Sequence, residues 1–176
     1  MLTSRREEVF INNEIVEQLY DLYYKQLYLY LYSMCKNKTV AEDLTQDTFL
    51  KAILSLNNDH QNVRAWLFLV AKNLCINYIK KNRETLNFDE LVSVQDDALS
   101  PIDKILSDDK NRRLMEAIDK LPDNKKQVLQ LQYFGGLPQK EIAQIMNLTP
   151  TNIRVISMRA KADLKKYLEE THYDIS

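Results

Sequence analysis

The chain has 176 residues, 28% charged and 45% hydrophobic, with a formal net charge of −1, which are values of an ordinary globular protein and exclude disorder throughout. Only two glycines and four prolines occur, too few for a protein built of tight hairpins and well suited to long helices with short connections. No apolar run reaches the roughly 18 residues that span a bilayer. The N-terminus, with Arg5, Arg6, Glu7 and Glu8, does not read as a signal peptide, so a cytoplasmic protein with no stable membrane insertion of its own is expected.

Residues 1–13 read as a tail. From Glu14 to Met34 the apolar residues Ile15, Leu19, Leu22, Leu27 and Met34 recur near three and four, the rhythm of an amphipathic helix. Six tyrosines between Tyr20 and Tyr32 either pack a core with their hydroxyls at its wet edge or form a partner surface. Cys35 and Cys75 fall inside helical patterns far apart in sequence and read as buried free thiols, with no redox role.

Thr39 and Glu42 have the spacing of a capping box, so a second helix is expected to start there. Ala41, Leu44, Thr48, Phe49, Ala52 and Ile53 would face the core. Asp43, Gln46, Asp47 and Leu50 then form an outward stripe, acidic with an apolar end. Residues 57–62 carry no apolar side chain and read as a loop, with Asn62 capping a third helix that runs to about Asn82. Val63, Leu67, Val70 and Leu74 are its expected core face. Trp66, Asn73, Asn77 and Lys80 follow another line, with Lys72 and Lys81 beside it. A ring, amides and cations in one row match the needs of single-stranded nucleic acid, although a solvated helix face explains them as well.

Residues 83 to about 106 lose helical periodicity, and the segment 83–110 carries three basic against eight acidic residues, so a flexible acidic tether is expected. Helix signals resume at Ser107 or Asp108 and run to Lys120. After Leu121 and Pro122 a further helix is expected to reach Phe134, just before Gly135 and Gly136.

Pro138 to Met146 reads as a short helix with Ile142, Ala143 and Met146 inward. Asn147 takes a left-handed stop, Leu148 plugs the turn, and Thr149 and Pro150 are cap and first residue of the next helix, anchored by Ile153 with Val155 or Ile156. This is a helix-turn-helix. Its second helix offers Thr151, Asn152, Arg154, Ser157, Met158, Arg159 and Lys161 to base edges and phosphates, with Thr149 at its start. Between Lys125 and Lys166 eight basic residues face only Glu141 and Asp163, a net of +6 that suits DNA. The fold expected is therefore all-α, two small helical domains joined by a flexible acidic linker, with the helix-turn-helix in the second.

Three blocks occur in order: Ala41 to Ala52, Arg64 to Leu74, and Leu121-Pro122 with Tyr133 to Leu137 ahead of the helix-turn-helix. Together they resemble a bacterial ECF (extracytoplasmic-function) sigma factor of the sigma-70 superfamily. The resemblance implies sigma region 2 over 14–82, a linker over 83–107, region 4 over 108–170 and a tail over 171–176. It implies a factor that binds core RNA polymerase, recognises promoter DNA and promotes strand melting to start transcription of a specific regulon. Asp43, Gln46, Asp47 and Leu50 would then dock on polymerase. Asn58, His60, Asn73, Asn77, Lys80 and Lys81 would meet the single strand of the downstream element, Trp66 being core. An anti-sigma factor is an implied partner.

Departures from the family pattern are Pro138 in place of a Ser or Thr cap, Asn147 in place of glycine, and Val155 and Ile156 in place of a small polar and a basic residue. They leave fewer polar side chains for the groove, so specificity would rest on Arg154, Ser157, Arg159 and DNA shape. Two other readings stay open. A one-component helix-turn-helix regulator would bind operator duplex without polymerase. A helical enzyme finds little to work with, because His60 and His172 are the only imidazoles and no ligand-spaced cluster occurs; no catalytic residue, metal or cofactor is expected.

Overall fold

A computed structural model describes residues 2–56, 60–83 and 100–171, with the backbone alone for residues 2–12. Its regular elements among these residues are all helical, and the chain divides into two compact units, Met1–Ile79 and Lys80–Ser176.

Helix α1 spans Leu2–Cys35. It therefore begins well before the expected Glu14, because no proline or glycine lies between Leu2 and Cys35 to stop it. Val16 and the run Leu27, Tyr28, Leu29, Tyr30 and Leu31 lie in the core. The buried Ser33 hydroxyl donates to the Tyr30 carbonyl at 2.6 Å, so its polarity is satisfied locally. Lys36 takes a left-handed φ of 56°, and Asn37 then lies extended and caps α2, Lys38–Ser55, accepting from the Val40 amide at 3.1 Å. The expected cap, Thr39, lies instead in the first turn: Asn37 makes the stop two residues earlier, and a short amide in an extended conformation is as good an N-cap as a hydroxyl.

Ala41, Leu44, Thr48, Phe49 and Ala52 are buried as expected, while Ile53 is exposed. The buried hydroxyls of Thr45 and Thr48 donate to the carbonyls of Ala41 and Leu44 at 2.6 and 2.7 Å, which lets polar residues sit in an apolar core. Tyr20 meets Phe49 of α2 at 4.9 Å between ring centroids, and Tyr24 and Tyr28 continue the row along α1.

Helix α3, Val63–Lys81, is capped as expected by Asn62, whose side chain accepts from the Ala65 amide at 3.0 Å. Its core face differs from the expected one. Ala65, Leu67, Phe68, Ala71 and Cys75 are buried, whereas Val63, Val70 and Leu74 are only half-buried. Phe68 meets Tyr30 at 5.5 Å between ring centroids, so the buried side carries this aromatic pair with the small Ala65 and Ala71 rather than the larger aliphatics. Full burial pushes the Tyr30 hydroxyl far above its ordinary pKa.

In the second unit, α4 spans Pro101–Ser107. No helix was expected before Ser107. Ser100 and Asp103 form a reciprocal capping box with Pro101 at the first helical position, signals short enough to be masked by the lack of any buried residue. Residues 84–99 of the expected tether, and 172–176 of the expected tail, lie outside the described residues. Helix α5, Asp109–Asp119, is capped by Asp108, and α6, Asp123–Leu129, continues into a π-helical turn, Gln130–Phe134. Helices α7, Gln139–Met146, and α8, Pro150–Glu170, complete the unit. Ile118, Val128, Leu129, Leu131, Ile142 and Ile153 form its dry centre.

Candidate nucleic-acid interface

The turn between α7 and α8 is built from backbone constraints. Asn147 sits at φ 54° and ψ 46°, a conformation asparagine tolerates better than most residues, and the Leu148 amide donates back to the Ala143 carbonyl at 2.9 Å. Thr149 then accepts from the Asn152 amide at 3.2 Å, and Pro150 starts α8 with a preset φ. Leu148 is exposed rather than plugging the turn, because the residue after the left-handed stop points away from the core. Ile142, Ala143 and Ile145 are the buried residues of α7, and Met146 is only half-buried. Pro138 precedes α7 and supplies no side-chain cap.

Ile153, Ser157, Ala160 and Leu164 form the buried line of α8. This overturns the expected role of Ser157 in the groove: it is 1% exposed and its hydroxyl donates to Gln132 Oε1 at 2.8 Å. Its place between Ile153 and Ala160 at helical spacing carried the signal, and its polarity concealed it. Gln132, on the π-turn, thereby joins α8 to the preceding segment. Val155 and Ile156 are both half-buried. Thr149, Thr151, Asn152, Arg154, Met158, Arg159 and Lys161 are exposed, the Thr149 hydroxyl being engaged as the cap.

Lys125 is tied to Asp163 at 2.5 Å, joining α6 to α8, while Lys165 and Lys166 lie near Glu169 and Glu170 on the last turns. Among the described residues Lys140, Arg154, Arg159 and Lys161 make no ion pair. Spacing did not single out Lys140, on α7. These four cations can meet phosphate without first breaking a salt bridge.

In the first unit, Asp43, Gln46, Asp47 and Leu50 are all exposed along one face of α2. Leu54 extends the stripe by a further turn and is 83% exposed, beyond Leu50 at 55%. On α3, Asn73, Asn77, Lys80 and Lys81 are exposed, and Lys72 is half-buried, its ammonium held below the ordinary lysine range by desolvation. The half-buried Trp66 meets the His60 ring edge-on at 4.9 Å, so the two are brought together at the start of α3. Asn58 lies outside the described residues. Arg64 stands over the Tyr23 ring at 6.0 Å, bracing α3 against α1. Cys35 and Cys75 are free thiols in hydrogen-bond contact, a contact that lowers the first thiol's pKa and raises the second's.

Residues 19–85 match the family Sigma-70 region 2 and residues 111–164 match Sigma-70, region 4. The chain is 34% identical over 154 residues to the ECF RNA polymerase sigma factor SigM of Bacillus subtilis (strain 168), covering 85% of this chain and 93% of that one. Two solved structures share its fold. One is CnrH in complex with the cytosolic domain of CnrY, at 20% identity and a TM-score of 0.69 over 94% of each chain. The other is the sigma factor RpoE in complex with the anti-sigma factor NepR from Bartonella quintana, at 22% identity and a TM-score of 0.64, covering 87% of this chain and 96% of that one. A helix-turn-helix with unpaired cations on its second helix, behind a separate helical unit of the region 2 kind, is thus accounted for at both ends: the chain belongs to the ECF RNA polymerase sigma factors.

Proposed function

We propose that the two units divide promoter recognition between them. The first grips core RNA polymerase through Asp43, Gln46, Asp47 and Leu50, with Leu54 extending the contact, and holds the melted downstream element along Asn73, Asn77, Lys80 and Lys81, with His60 and Asn58 at the loop. The second reads the upstream element in duplex form through α8. The observation that carries this reading is the match of residues 19–85 to Sigma-70 region 2 and of residues 111–164 to Sigma-70, region 4, in that order, beside the 34% identity to SigM. The exposed polar and cationic face of α8 supports the duplex assignment. The aligned amides and lysines of α3 support the single-strand assignment, because captured unpaired bases offset part of the cost of melting.

In this scheme the factor positions and opens DNA, while the bond-forming chemistry belongs to the polymerase. The domain limits proposed are 14–82 and 108–170, with α4, Pro101–Ser107, lying within the expected linker 83–107 as part of the second unit. A protein of the anti-sigma class is the proposed inhibitor, supported by family membership and by the apolar Leu50 and Leu54 left uncovered on α2. No helix among the described residues is long and apolar enough to cross a membrane, and a cytoplasmic site of action is proposed.

The test is transcription in vitro with the purified chain and core polymerase on pooled fragments of the source genome, sequencing the 5′ ends of transcripts. New discrete starts preceded by two spaced sequence elements are expected. Tight binding to duplex DNA without polymerase, and no new starts, would instead favour a one-component regulator.

A further inference from the structure

The buried line of α8 determines which residues stand opposite it. Ile153, Ser157, Ala160 and Leu164 face the core, so the outward line at helical spacing runs through Thr151, Val155, Met158 and Ala162. Arg154 and Lys161 flank it on one side, and Asn152 and Arg159 on the other, all exposed. The polar and charged groups able to bond base edges or phosphates are thus displaced to the flanks, Thr151 apart, and Ser157 is withdrawn to Gln132. The large apolar side chain presented along the middle is Met158, 65% exposed, with Val155 half-buried one turn before it.

An unbranched thioether is flexible and apolar, able to follow a surface it meets but unable to serve as a strong hydrogen-bond partner. The major groove offers one apolar group at a base edge, the 5-methyl of thymine. We infer that Met158, backed by Val155, reads the 5-methyl group of a thymine in the upstream element, while the flanking arginines bond a neighbouring base or the phosphates. Specificity at that position is set by removing a methyl from water rather than by a donor–acceptor pair. The inference rests on the assignment of α8 to the upstream element.

The test uses the full chain assembled with core polymerase and the promoters recovered by start-site mapping. Each thymine of the upstream element is replaced in turn by deoxyuridine, which deletes the methyl and keeps the base pair. At one or two positions the wild-type protein is expected to lose about four-fold in initiation at limiting holoenzyme, the worth of roughly one buried methyl. Met158→Ala is expected to initiate equally on thymine and deoxyuridine at that position while still responding to base changes elsewhere in the element. Met158→Leu, apolar and similar in volume, should restore the difference. A wild-type protein indifferent to deoxyuridine everywhere overturns the inference and leaves the initiation reading intact. So does a Met158→Ala protein that loses activity equally on both DNAs, which would place Met158 against a protein partner or the sugar–phosphate backbone. Failure to initiate on any fragment overturns the initiation reading and this inference with it.

Discussion

Arg154 sits at the start of α8, exposed and without an ion pair among the described residues, on the flank of the line that Met158 occupies. A guanidinium placed there can bond a guanine with two parallel hydrogen bonds or a phosphate with one charge-assisted contact, and the two roles have different signatures. Arg154→Ala is expected to weaken binding to one upstream sequence by about 1–3 kcal/mol and to relax selectivity at a single base pair. Competition binding of the holoenzyme against a set of single-base variants checks this; equal weakening on every variant would make Arg154 a phosphate contact. Ser157, its neighbour three residues on, teaches the opposite lesson. It has the composition of a contact residue and the position of a core residue, and position prevailed because the hydroxyl found Gln132 inside the unit.

The helices themselves were legible wherever a polar cap and an apolar rhythm agreed, as at Asn62 and at Thr149 with Pro150. Where two caps competed, spacing alone chose wrongly, and Asn37 rather than Thr39 opens α2. Asn37→Ala is accordingly expected to destabilise the first unit by about 1 kcal/mol in chemical denaturation, and Thr39→Ala to change it by much less. A reversed order of these two effects would return the cap to Thr39. Core faces were legible less often than helices. On α3 the aliphatics Val63, Leu67, Val70 and Leu74 marked one face, yet the buried side holds Phe68, against Tyr30, with Ala65, Ala71 and Cys75, and three of the four predicted positions, Val63, Val70 and Leu74, are only half-buried. Nothing in residue type announces the π-turn at Gln130–Phe134, which ends at Gly135 and carries Gln132, the acceptor for Ser157. Of the candidate site, the exposed face of α2 could be read from helical periodicity and the DNA-facing role of α8 from the helix-turn-helix and its local charge, whereas assigning polymerase to α2 required the resemblance between whole motifs.

At the scale of the whole molecule, a net charge of −1 conceals two unlike surfaces, an acidic and apolar stripe on α2 and a cationic face on α8. Reversing one charge on the first should leave the second untouched. Asp47→Arg is expected to lower affinity for core polymerase, measured by titrating a labelled factor with core enzyme, while its helical content and melting curve match the wild type. Unchanged association would remove Asp47 from the docking surface. The cationic face carries a different dependence: contacts with phosphate release counterions, so duplex binding through α8 should weaken steeply as salt rises.

One contact described earlier makes the molecule its own instrument. The chain contains a single tryptophan, and that residue lies against His60 at the entrance to α3. Excited at the red edge, where tyrosine absorbs little, the indole reports from the loop end of the first unit and from nowhere else in the protein. Single-stranded oligonucleotide settling on that loop should shift its emission, whereas duplex bound by α8 should leave the signal still. A fluorimeter can therefore follow single-strand binding to the free, unlabelled protein, separately from duplex binding.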